Sequence, residues 1–114
     1  MPPKRNPLNL NKLQLKTLTL LQELAKLPDM ATPNAATGAV TITGFPPAHG
    51  NHFHMGPWLV MGRDATGLHN EAVWRALERK DLAQGTFPVA ITLSPAGIAY
   101  ETHMQGEILH GSDH

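Results

Sequence analysis

Apolar residues recur at helical spacing over the first half-buried stretch of the chain. Leu10, Leu13, Thr17, Leu20, Leu21, Leu24 and Leu27 fall on one stripe, and Leu15, Leu18 and Ala25 widen it. A stripe that broad predicts a helix buried on more than one side. Asn11 with Gln14 three residues on has the form of a capping box at its start, and Pro28 ends it. It reads as a core helix, with pairing to a second subunit as the alternative. The period then changes to two. GAVTITG alternates Val40 and Ile42 with Thr41 and Thr43, and HFHM puts His52 and His54 on one face and Phe53 and Met55 on the other. Ala39–Thr43 and His52–Met55 are expected to pair as a hairpin across the FPPAHGN loop.

Gly56-Pro57 can open a helix, because proline suits the first helical position. The expectation is a helix over Trp58–Thr66, with a strand as the rival reading because Gly62 and the Trp58-Leu59-Val60 run favour it. A more strongly patterned helix is predicted from about His69 to Lys80. Leu68, Val73, Ala76, Leu77 and the stem of Lys80 share one face, while Asn70, Glu71, Arg75, Glu78 and Arg79 fall mostly on the other. Leu82–Gln84 and Phe87–Leu93 read as two short strands about a turn at Gly85-Thr86. Ser94 caps a last helix with Pro95 at its first position, running to Tyr100.

The order of elements predicts a small α+β domain: helix, β-hairpin, helix-turn-helix, short wing and C-terminal helix. With 114 residues there is room for one core. The expected division is a disordered basic arm over 1–8, a domain over 9–103 with an inserted histidine-bearing hairpin at 38–56, and a flexible tail over 104–114. Nine Lys and Arg balance nine Asp and Glu, so any basic surface must be local. Lys4, Arg5, Lys12, Lys16, Lys26 and Arg63 are the cations that could build one. The absence of cysteine excludes disulfides, thiolate metal sites and cysteine catalysis. Leu8–Leu27 is interrupted by Asn9, Asn11, Lys12, Gln14, Lys16, Gln22, Glu23 and Lys26, which predicts neither a signal peptide nor a membrane span. A cytoplasmic protein without a membrane partner is expected.

Three segments resemble the winged helix-turn-helix transcriptional regulators, in particular the MarR-like group. LQLKTLTLLQELAKLP looks like that group's buried helix, ATGLHNEAVWRALERKDLA like its turn and recognition helix, and ITLSPAGIAYE like the segment that closes the wing. Asp81 stands where the group commonly has glycine, and no arginine lies between Leu82 and Leu93. The resemblance implies a homodimer that binds double-stranded DNA and regulates transcription. Its recognition helix would present His69, Asn70 and Arg75 to bases, with Arg79 and Lys80 near phosphates. Asparagine can read adenine, and arginine can read guanine. The competing expectation is a winged-helix-derived module that binds a protein partner. Glu71–Arg75 and Arg75–Glu78 have the spacing to pair with each other, which favours it.

His49, His52 and His54 form the densest chemical grouping. Two imidazoles at i and i+2 on a strand share a side, and a third from the preceding loop would make a three-histidine site for zinc or iron. Asp64, His69, His103, His110, Asp113 and His114 are further ligands that could complete it. Without a glutamate nearby to act as general base, hydrolysis has no support, and no catalytic residue or obligatory cofactor is expected. No dinucleotide or P-loop signature is present.

Overall fold

A computed structural model describes residues 6–47 and 50–111. Among them are four α-helices and two antiparallel sheets, a mixed α+β domain. Helix α1 spans Lys12–Leu24 and is set by the expected capping box: Gln14 N–H donates to Asn11 Oδ1 at 2.8 Å, and Asn11 N–H to Gln14 Oε1 at 3.0 Å. Its last turn continues to Leu27 through backbone bonds before Pro28, which has no donor to extend it. Thr17 to Gln22 are all buried, and so is Leu24. The helix is therefore surrounded by its own chain, and its leucines are not an exposed dimer stripe. Two threonines tolerate this position because the hydroxyls of Thr17 and Thr19 donate back to the carbonyls of Leu13 and Leu15, each at 2.8 Å.

Sheet one holds β1 (Ala31–Pro33), β2 (Val40–Ile42), β5 (Ala83–Thr86) and β6 (Ala90–Leu93) in the order β1-β2-β6-β5. The second sheet holds β3 (His52–Met55), β4 (Trp58–Met61) and β7 (His110–Gly111) in the order β3-β4-β7. This corrects the expected hairpin of Ala39–Thr43 with His52–Met55. Both edges of β2 are occupied, by β1 across an Asn34–Gly38 turn and by β6. His52–Met55 pairs instead with Trp58–Met61, Met55 facing Trp58 across Gly56-Pro57. Gly56 has φ +57°. Glycine at the first central position, followed by a residue whose ring fixes a negative φ, is the type II′ combination that closes two-residue hairpins. Gly-Pro is thus a hairpin turn here, not a helix start. The helix expected over Trp58–Thr66 is replaced by β4 and two 3-10 turns, Gly62–Asp64 and Thr66–His69.

Helix α2 spans Glu71–Arg79 and buries Val73, Trp74, Ala76 and Leu77. It ends in a Schellman motif: Leu82 N–H donates to Leu77 O and Asp81 N–H to Glu78 O, with Asp81 at φ +60°. The left-handed backbone there favours glycine, and aspartate is among the few side chains that also adopt it. Strand β5 runs through the expected turn at Gly85-Thr86, and the chain reverses at Phe87–Val89 instead, with Thr86 facing Ala90. Gly85 serves a close approach, since a Cβ there would lie 2.5 Å from Ala90 O. Helix α3 (Pro95–Ala99) is capped by Ser94 as expected. Buried Gln22 holds it on α1, its Nε2 donating to Gly97 O at 2.9 Å and Tyr100 O at 2.7 Å.

The expected tail is also corrected. Residues 105–108 form helix α4 (Gln105–Ile108), Met104, Ile108 and Leu109 are buried, and β7 pairs with β4. Three apolar residues at 104, 108 and 109 supply the burial that anchors it, a signal masked in the sequence by Gly106 and Gly111. Of the expected arm, residues 1–5 lie outside the described residues. Asn6 and Leu8 are held in place: Tyr100 hydroxyl donates to Asn6 Oδ1 and accepts from Leu8 N–H. No helix among the described residues is long and apolar enough to cross a membrane.

Candidate functional site

Two places gather the residues singled out in the sequence. The first is the outer face of α2. Asn70 caps the helix, its Oδ1 accepting from Ala72 N–H at 3.0 Å. His69 is exposed at the end of the second 3-10 turn, its ring 6.4 Å from that of Phe45. One turn on, Arg75 is held by two acids. Its Nη1 donates to Glu78 at 2.8 and 3.0 Å and its Nη2 to Glu71 at 3.0 Å. Arg79 and Lys80 are exposed and make no ion pair among the described residues. The outer face of α2 therefore carries one neutralised arginine and, at its C-terminal end, two available cations.

The cations expected to add to a basic surface are mostly paired. Lys12 meets Glu107 at 3.1 Å, Lys16 meets Asp64 at 2.7 Å and Lys26 meets Glu23 at 2.8 Å. Arg63 is exposed, and Lys4 and Arg5 lie outside the described residues.

Glu78 has a second role that its spacing did not disclose. Besides Arg75, it accepts from Gly85 N–H at 3.0 Å, so one carboxylate joins α2 to the β5–β6 hairpin. The bonds from Arg75, then the one from Gly85, hold its carboxyl below its ordinary value of 4.5. A depressed folded pKa contributes stability above the unfolded value and loses it as pH falls through the folded one. Urea midpoints measured through the acid range below about pH 4.5 are expected to fall more steeply for the parent chain than for Glu78→Gln. Equal slopes would show that the carboxylate contributes nothing to the hairpin's attachment.

The second place is β3. His52 and His54 share its outer face as the alternation predicts, with Phe53 and Met55 buried behind them. Their Nε2 atoms are 3.1 Å apart, and the rings meet edge to face at a centroid distance of 4.8 Å. Asn51 Oδ1 lies 3.3 Å from His52 Nδ1. His49 lies outside the described residues. Asp64, offered as a further ligand, is turned inward to Lys16, and His103 faces Glu101 at 3.9 Å. Among the described residues no group of three or more His, Cys, Asp or Glu converges as a metal cage.

A cleft of about 340 Å³ between α1 and α3 was not foreseen. It is lined in part by Gln22, Glu23, Lys26, Tyr100 and Glu101. Most of its polar groups are already engaged: Gln22 with α3, Tyr100 with Asn6, and Glu23 with Lys26 and with Trp58 Nε1 at 3.0 Å. The one sequence signal for it is Gln22, a glutamine set among leucines in the most buried turn of α1.

Comparison with family models, with curated proteins and with solved structures finds no match for this chain.

Proposed function

We propose that the chain is a winged-helix module that binds double-stranded DNA in transcriptional regulation, with α2 as the recognition helix and β5–β6 as the wing. The observation that carries this reading is the strand order β2-β6-β5. The strand after the buried helix is built into the same sheet as the hairpin after the exposed helix. In chain order α1 is followed by β1 to β4, two 3-10 turns, α2 and the β5–β6 hairpin, and a helix followed by a hairpin that shares its sheet with an earlier strand supports this reading. On this reading Arg79 and Lys80 approach phosphates, and Arg75 exchanges its carboxylates for a base edge. His69 and Asn70, at the N-terminal end of α2, lie beside the groove. A homodimer on a two-fold related pair of half-sites is the assembly proposed, through a surface other than the enclosed α1.

Titration of the tag-free chain with duplex DNA at low and moderate salt tests the proposal. Binding is expected to weaken with salt, and Arg79→Ala with Lys80→Ala to reduce the slope of log K against log salt by about 2. No binding at low salt overturns the reading. A second reading, a module for a protein partner, draws on one observation: Glu71 and Glu78 already satisfy Arg75, and Lys12 and Lys16 of α1 and Lys26 just after it are paired. Failure to bind DNA, with the fold intact by circular dichroism, would favour it.

A further inference from the structure

The histidine pair on β3 has a geometry of its own. We propose that His52 and His54 chelate one divalent transition-metal ion of the zinc, copper or nickel class through their Nε2 atoms, with water completing the coordination.

The strand fixes the pair. Phe53 and Met55 are buried on the opposite face, and β4 holds the register with His52 facing Met61 and His54 facing Leu59. A slip by one residue would expose two apolar side chains and bury two imidazoles, so the outward direction of both rings is specified. Nitrogen ligands sit 2.0–2.1 Å from zinc, and two of them on a tetrahedron are then about 3.3–3.4 Å apart. The observed Nε2–Nε2 separation of 3.1 Å differs from that bite by a few tenths of an ångström. Imidazole rotation alone can supply the difference.

Protonation also fits. Two Nε2 atoms at hydrogen-bond distance share one proton, so at least one presents a lone pair to the other. Asn51 Oδ1, as acceptor, selects the tautomer of His52 that is protonated on Nδ1 and bare on Nε2. Such a carboxamide partner is the outer support that orients metal-bound histidines. For His54, whose one N–H then lies on Nε2 toward His52, binding moves that proton to Nδ1 and gives the Nε2 lone pair to the ion. The borderline donor set of two imidazoles with water suits zinc, copper or nickel over magnesium or calcium, which prefer oxygen. The site is chelating and does not depend on whether the chain binds DNA.

The test is a zinc chloride titration of the tag-free full chain, followed by the imidazole nitrogen resonances. Saturation at one ion per chain is expected, with both His52 and His54 nitrogens shifting and those of His69, His103 and His110 unmoved. His52→Ala and His54→Ala are each expected to abolish that saturation. Asn51→Ala, which leaves both ligands in place, is expected to weaken it about 10–100-fold. Circular dichroism confirms that each variant is folded. Because both rings face outward, a folded variant is the expected case, and Asn51→Ala supplies the readout should either histidine variant unfold. The proposal is overturned if neither ring shifts at saturating zinc. It is overturned equally if zinc binds with unchanged affinity in all three folded variants.

Discussion

Trp74→Ala is expected to cost about 3–5 kcal/mol of stability. Trp74 is fully buried in the middle of α2, and its ring joins three other segments of the chain. It meets Phe87 of the β5–β6 turn edge to face at 4.9 Å and Phe45 after β2 at 6.0 Å. Its Nε1 donates to Leu68 O at 3.1 Å, closing the second 3-10 turn onto the start of α2. Truncation leaves a cavity where those three segments meet and leaves the Leu68 carbonyl without its donor. Trp74→Phe separates the effects, because it keeps an aromatic ring and loses the hydrogen bond; its cost should be clearly smaller than that of alanine. The measurement is urea unfolding at constant m. Trp58, the other tryptophan, remains as the fluorescent reporter. A cost below about 1 kcal/mol for alanine, in the range of a surface substitution, would show that Trp74 does not hold α2 to the β5–β6 hairpin.

The parts of this fold legible in the sequence are those settled within a few residues. The capping box at Asn11 and Gln14, the Ser94-Pro95 start and the HFHM alternation all appear as read. What could not be read depended on partners far along the chain. Val40–Ile42 has the pattern of a strand, but nothing in it says that Ala31–Pro33 and Ala90–Leu93 take its two edges. Gly56-Pro57 is compatible with a helix start and with a type II′ turn, and the choice is made by the match of Trp58–Met61 to His52–Met55. The same holds for the sites. Helical spacing foretold that Arg75 could meet Glu71 and Glu78, and it does. That Glu78 also caps Gly85 is a tertiary fact. Alternation foretold that His52 and His54 share a face; the separation of their Nε2 atoms and the position of Asn51 needed the rings in place.

Lys16→Met is expected to destabilise the chain by about 3–5 kcal/mol, and Lys16→Met with Asp64→Leu to recover most of the loss. Lys16 looked in the sequence like one more surface cation of a basic helix. Its Nζ instead lies 2.7 Å from Asp64 Oδ1, with the two side chains only 17% and 10% exposed. Asp64 ends the first 3-10 turn, so the pair ties α1 to the segment that leads into α2. The backbone is close there as well: a Cβ on Gly67 would fall 1.8 Å from Thr17 Oγ1, one residue along α1 from Lys16. A carboxylate enclosed at such a junction has little water to replace its counter-charge. Removing the lysine alone therefore costs more than the pair contributes, while removing both charges lets the site refill with apolar atoms. The two single variants and the double form a cycle, read from urea midpoints. Strong coupling, with the double variant more stable than Lys16→Met, is the expected result. Single-variant costs under about 1 kcal/mol that simply add would make this an ordinary solvated ion pair. Lys16 could then be returned to the cations available for a basic surface. Under the expected result Lys16 belongs to the scaffold and not to a basic surface.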